Sequence, residues 1–217
     1  MALRVRPPWC GGWWWLRHDD RVTLKSGRRW NHNIHYHPRI LRAVPAEVRD
    51  ALDVGCGEGM LARALRRRVP KVTGIDLHAP SVEEAAGYDD DIDYVVGDFL
   101  THRFEPGSFD VVTSVATLHH VDAETGLARL RELVRPGGVL AVVGLARGSL
   151  PYTARGMAAS TLHRLVKGHW EHPSPTVWPP PETFTRMREL SEDLLPGSHY
   201  RRHVLLRYSL VWRKPTG

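Results

Sequence analysis

A chain of 217 residues with 42% hydrophobic and 25% charged side chains suits one sizeable domain with a single core. No apolar run approaches the ~20 residues that a membrane-crossing helix needs. The only cysteines, Cys10 and Cys56, stand far apart in unlike surroundings, which excludes a disulfide framework or a four-cysteine zinc site and points to a reducing, cytoplasmic compartment.

The net charge of +6 is unevenly spread, because residues 1–30 hold seven Arg or Lys against two Asp and the remainder is close to neutral. Of the 30 basic residues 26 are Arg, a bias that genome composition explains before nucleic-acid recognition does, so no nucleic-acid partner is expected. Residues 1–30 mix Pro, Gly, Trp and Arg without a sustained period and read as a disordered extension. Its Trp13-Trp14-Trp15 run reads as a partner-binding or anchoring patch, or more simply as a floppy tail or a mis-assigned start. Gly11, Gly12, Arg17 and His18 keep the Trp-rich run below the apolar length of a signal peptide, against secretion. Next comes NHNIHYHP (31–38), with His32, His35 and His37 in six residues, but H-x-x-H-x-H matches no zinc pattern and no metal is expected.

From Ala51 short apolar runs alternate with helical stretches, the pattern of βα units and a parallel sheet. Strands are expected at 51–55, 71–77, 93–99, 109–116 and 139–146, and helices at 60–68, from Pro80 over 80–86, and at 123–134 ending at Pro136-Gly137-Gly138. Beyond Ala146 the alternation stops. Residues 151–168 and 182–195 read as helices around an irregular Pro/Trp segment, and 199–215 as a strand pair or one long strand, with Leu206, Tyr208, Leu210 and Trp212 in alternation. Right-handed crossovers place helices on both faces of such a sheet, and ligands bind at the carboxyl ends of its strands.

The chemistry-bearing residues fall at those ends. In LDVGCGEG, Gly55, Gly57 and Gly59 follow the first strand and open a helix, so backbone can turn tightly and a ligand can approach it. Met60 stands where the dinucleotide fingerprint requires its third glycine, and Glu58 puts a negative charge where a pyrophosphate would sit, which disfavours a nicotinamide dehydrogenase. Asp76, 21 residues after Gly55, is spaced to accept from both hydroxyls of a ribose. Asp98 can accept from an exocyclic amine while Phe99 covers a base, with adenine the candidate.

These residues, in LDVGCGEG, GIDL, VVGDF, FDVVTSVATLHHV and LVRPGGVLAVV, resemble the class I S-adenosylmethionine-dependent methyltransferases of small-molecule type over roughly Asp53 to Gly144. The resemblance implies a Rossmann-like α/β fold, a seven-stranded mostly parallel sheet of order 3-2-1-4-5-7-6 with strand 7 antiparallel, in a single domain spanning 31–217. It implies S-adenosyl-L-methionine as cofactor, with Asp53, Gly55, Cys56 and Gly57 around the methionine moiety, Asp76 and Leu77 at the ribose, Asp98 and Phe99 at the adenine, and Ser114 and Val115 near the sulfonium. Cys56 is then a small packing residue. Residues 31–50 become a lid segment, with Tyr36 or a neighbouring His touching the methionine end or the acceptor.

Methyl transfer from a sulfonium needs alignment more than proton chemistry, but a hydroxyl acceptor profits from a base. His119 and His120 lie just past the fourth strand. Adjacent side chains point apart in regular structure, so at most one is expected to act as that base. Alternatively, a His here only orients backbone. The sequence SVATLHH replaces the Asn/Asp-Pro-Pro-Tyr/Phe motif of nucleobase and glutamine N-methyltransferases. The insert 147–196 is expected to select the acceptor, with Trp170, Trp178 and the Pro179–Pro181 run as an aromatic wall and Met157 and His163 nearby, or else as ordinary lid packing. Arg201 and Arg202 are read as a solvated hairpin before an acid-binding pair. The expected activity is O-methylation of a small molecule; N- or C-methylation and a non-catalytic cofactor-binding partner subunit are the alternatives.

Overall fold

The computed structural model describes residues 31–88, 91–167 and 177–216. The expected extension 1–30 and Trp170 lie outside the described residues. Seven strands, β1 (Asp50–Val54), β2 (Lys71–Asp76), β3 (Asp93–Val96), β4 (Phe109–Val115), β5 (Val134–Leu145), β6 (His199–His203) and β7 (Arg207–Arg213), form one sheet of order β3-β2-β1-β4-β5-β7-β6. The first five are parallel to one another, while β7 runs antiparallel to both β5 and β6. This is the topology expected from the resemblance.

The central strands β4 and β5 are buried along most of their length because helices cover both faces of the sheet. Among the described residues the helices are α1 (His37–Ala43), α2 (Met60–Arg66), α3 (Ala79–Ala86), α4 (Ala123–Leu133), the largely exposed α5 (Leu150–Lys167) and α6 (Phe184–Leu194). Their starts carry recognisable signals. Proline occupies the first turn of α1 and α3, where its missing N–H costs nothing. The Asp122 carboxylate accepts from Thr125 N at 2.8 Å ahead of α4, and the Thr183 hydroxyl from Arg186 N at 3.0 Å ahead of α6.

Alternating strand residues feed two cores. On one face Leu52, Val112 and Leu140 pack with Leu127 and Leu130 of α4 and Phe184 and Met187 of α6. On the other, Ala51, Val111 and Ala141 meet Leu61 and Leu65 of α2 and Ile40 of α1. Truncating any of the fully buried leucines to Ala would cost about 2–5 kcal/mol.

Two boundaries differ from the sequence expectation. Strand β5 begins at Val134, not after Gly138: Phe109 pairs with Val134, the register then shifts, and Val111 pairs with Val139. The Pro-Gly-Gly stretch is thus an irregularity at the start of a strand, where a missing N–H and a left-handed Gly137 (φ 77°) are tolerated. Strand β3 stops at Val96, leaving Asp98 and Phe99 on the loop beyond it. The carboxy-terminal segment is a hairpin, whose turn holds Leu205 and Leu206 both left-handed, at φ 66° and 56°.

Candidate active site

The carboxyl ends of β1 to β5 open into one cavity of about 760 Å³, a size suited to a cofactor and a small second ligand. Its floor is the loop after β1. Gly55 is left-handed (φ 72°) and donates from its N–H to Ile75 O at 2.8 Å, and a Cβ there would lie 1.9 Å from Thr117 Oγ1. Thr117, at the end of β4, closes that contact by donating to Val54 O at 3.1 Å. Gly57 N donates to Asp76 Oδ2 and His78 N to Asp76 Oδ1, each at 2.8 Å. Asp76 thereby braces the glycine loop with one lone pair of each oxygen and keeps the others for a ligand.

Asp53, 2% exposed, lies beneath the loop and accepts from the Thr113 hydroxyl at 2.8 Å. Burial is the main cause that pushes its carboxyl up to about 7, with the charge of Asp76 adding to it and the Thr113 hydrogen bond opposing it. The buried Cys56 thiol is raised well above its ordinary value, first by burial and then by Asp53 and Asp76, so it stays protonated and packs as a small apolar group. Asp98 Oδ1 accepts from Leu100 N at 2.9 Å, which orients that carboxylate at the end of β3.

Of the residues singled out from sequence, Asp53, Gly55, Cys56, Gly57, Asp76, Leu77, Asp98, Phe99, Val115, His119 and His120 all line this cavity. Several others do not. Ser114 is buried between β1 and β5, and Ala116 and Thr117 take the place expected for it. Tyr36 is packed into the core. Its hydroxyl donates to Val204 O at 2.7 Å and its ring lies 5.3 Å from that of His203, so it ties the amino-terminal segment to the hairpin. Met157 and Trp178 are 55% and 53% exposed and lie outside the cavity lining. Arg201 and Arg202 are exposed on the hairpin.

The histidines also depart from expectation. His119 and His120 sit in a single 3-10 turn with their rings 4.0 Å apart at 43°, since the tight turn lets neighbouring rings meet as a regular helix or strand would not. Burial, then His120 and Arg207, lowers His119 to about 3; His120, exposed at the rim, is lowered less, by burial against the raising charge of Asp76. From the amino-terminal segment His32 and His37 line the wall, together with Asn31 and Asn33. Burial lowers His37 to about 4.

Sequence reasoning missed Arg207. It opens β7, pairs with Leu145 at the carboxyl end of β5, and lines the cavity. Its signal was topological: the first residue of a strand that runs antiparallel to β5 lies at the same edge as the last residue of β5.

The methyltransferase-domain family profile matches residues 52–142, which span the glycine loop, Asp76, Asp98 and the paired histidines. An uncharacterized methyltransferase of Mycobacterium tuberculosis is 41% identical over 193 residues, covering 86% of this chain and 98% of that relative. The chain belongs to the class I S-adenosylmethionine-dependent methyltransferases. A ubiquinone biosynthesis O-methyltransferase of Ralstonia nicotianae is 32% identical over 136 residues, covering 55% of this methyltransferase and 57% of that relative. Among solved structures, phosphoethanolamine N-methyltransferase 2 of Haemonchus contortus, in complex with S-adenosylhomocysteine, superposes with a TM-score of 0.62 at 17% identity, over 83% of this chain and 53% of that one. That likeness concerns the fold. S-adenosylmethionine is the cofactor of this enzyme, and the left-handed glycine cradle and the two open carboxylate edges of Asp76 fit a ribose-bearing ligand.

Proposed function

We propose that this methyltransferase transfers the methyl group to an oxygen atom of a small-molecule acceptor. The observation that carries the reading is the division of charge around the cavity. The carboxylates of its lining, Asp53, Glu58, Asp76 and Asp98, belong to β1, β2, β3 and the loops that follow them. The other half, formed by Asn31 to Ile34, His37, the turn after β4, Leu145 and Arg207, carries asparagine, histidine, threonine and arginine side chains and no carboxylate among the described residues. An ammonium acceptor would meet no counter-charge there, whereas an oxygen acceptor meets donors.

In this reading the Gly55 and Gly57 backbone holds the methionine end of the cofactor over buried Asp53. Asp76 takes the ribose hydroxyls with Leu77 alongside, and Asp98 accepts from the adenine amine while Phe99 covers the ring. When bound, the cofactor supplies an electrophilic methyl group on a sulfonium. Val115, Ala116 and Thr117 then shape the wall against which an acceptor oxygen is aligned. A proton released by a hydroxyl acceptor passes to His120, which is open to solvent at the rim. His119, held near 3, is too weak a base for that task at neutral pH and serves as a neutral hydrogen-bonding group.

Matched pairs of acceptors test the reading: phenol against aniline, benzoate against benzylamine and catechol against 2-aminophenol, each with S-adenosylmethionine and S-adenosylhomocysteine release as the signal. Turnover with oxygen members above the acceptor-free background is the expected result. Transfer to the amine members alone would overturn it. The relative from Ralstonia nicotianae, an O-methyltransferase by name, agrees with this preference.

A further inference from the structure

We infer that Arg207 is the seat for an anionic oxygen group, a carboxylate or an oxyanion of similar size, carried by the methyl acceptor. This rests on the oxygen-acceptor reading above and narrows it to acceptors that bring a negative charge into the site.

Arg207 is 8% exposed, yet no carboxylate among the described residues forms an ion pair with it. Its Nη1 donates to Leu205 O at 3.1 Å and its Nη2 to Asn33 Oδ1 at 2.9 Å, both neutral acceptors. Its Nε has no hydrogen-bond partner among the described residues. Of five N–H bonds on the guanidinium, those two contacts account for the protein partners, and the charge itself is left without compensation. Arg129, another largely buried arginine, by contrast meets the carboxylate of Glu132.

The arrangement is also built at a cost. The Leu205 carbonyl reaches the guanidinium from a turn in which two consecutive leucines are left-handed, a conformation that their Cβ atoms oppose. A buried, uncompensated cation supported by strained backbone and facing a cavity is a preorganised site for an anion. Its neighbours agree, since His119 within electrostatic range is held neutral and adds a donor without a competing charge.

The position assigns the anion to the acceptor. The cofactor residues belong to β1, β2 and β3, whereas Arg207 opens β7, three strand spacings or about 14 Å across the sheet from β1. Between them lie the carboxyl ends of β4 and β5, where donor and acceptor would meet. Asn33, which orients Nη2, comes from the amino-terminal wall of the same half of the cavity.

Acetate and acetamide, small enough to enter irrespective of the natural acceptor's skeleton, test the seat on protein saturated with S-adenosylhomocysteine. Calorimetry is expected to give acetate a preference of at least about tenfold over acetamide, the lower end for hydrogen bonds to a charged group. The Arg207 Nε–H resonance is expected to shift with the same dissociation constant. Arg207→Gln is expected to abolish the preference while S-adenosylhomocysteine affinity stays within about twofold of wild type. Equal binding of acetate and acetamide to the wild-type protein overturns the inference, and that ratio decides the matter even if the variant fails to fold. A tenfold loss of S-adenosylhomocysteine affinity in the variant, with methylthioadenosine unaffected, also overturns it, because the guanidinium would then serve the cofactor's own carboxylate. Methylation of neutral alcohols without an acetate preference would refute the seat alone; an acetate preference with transfer only to amines would refute the oxygen-acceptor reading alone.

Discussion

Replacing His119 by Gln converts the partly buried imidazole into a measurable stability difference. In the folded chain burial, followed by His120 and Arg207, lowers this group to about 3, against 6.5 for the ordinary value. Below pH 6.5 the unfolded chain therefore binds a proton that the folded chain refuses, and stability falls as pH drops from there toward 3. At pH 5 the deficit relative to pH 8 is about 2 kcal/mol, and it stays near that figure for any folded value below about 4, because the unfolded group sets it. Urea unfolding of wild type and His119→Gln at pH 8 and pH 5 gives the double difference, in which other groups common to both proteins cancel, including Asp53, whose raised value acts in the opposite direction. The variant should lose about 2 kcal/mol less than wild type between the two pH values. If both lose the same amount to within about 0.5 kcal/mol, the imidazole is not held neutral by burial and the account of the rim is wrong.

Two further outcomes follow from the carboxylates. With Asp53 titrating at about 7, a sulfonium favours its ionised form, so S-adenosylmethionine should gain up to about tenfold in affinity over S-adenosylhomocysteine from pH 6 to pH 8; calorimetry on wild type and Asp53→Asn checks this, and the variant should show no such trend. Asp76→Ala removes the acceptor of both Gly57 N and His78 N, and should weaken S-adenosylhomocysteine binding by about 10- to 100-fold in the same assay.

What was legible in the sequence was local. The glycine loop, Asp76 and Asp98 announce themselves because a tight turn demands glycine and a strand-end carboxylate has few other uses, and all of them line the cavity. Where a residue's place depends on a partner far along the chain, reading failed. Tyr36 looks like a pocket residue until Val204, 168 positions later, takes its hydroxyl. Pro136-Gly137-Gly138 has the composition of a turn, and only the shifted pairing against β4 makes it the start of a strand. Trp178 and Met157 have the chemistry of a binding wall but lie outside the cavity lining. Arg207 was hidden among the hairpin arginines, since nothing in the sequence distinguishes the one that pairs with Leu145 from the exposed Arg201, Arg202 and Arg213.

The clasp between the amino-terminal segment and the hairpin turn has a bearing on the order in which the enzyme matures. Tyr36 to Val204 and Arg207 to Asn33 join positions 168 and 174 residues apart, far more distant than the partners that build the glycine cradle. Contacts of such separation carry the largest closure entropy and form late. The cradle after β1 needs only neighbouring strands and can therefore be complete while the opposite wall is still missing. A folding chain would thus acquire the capacity to hold its methyl donor before it acquires any discrimination among acceptors.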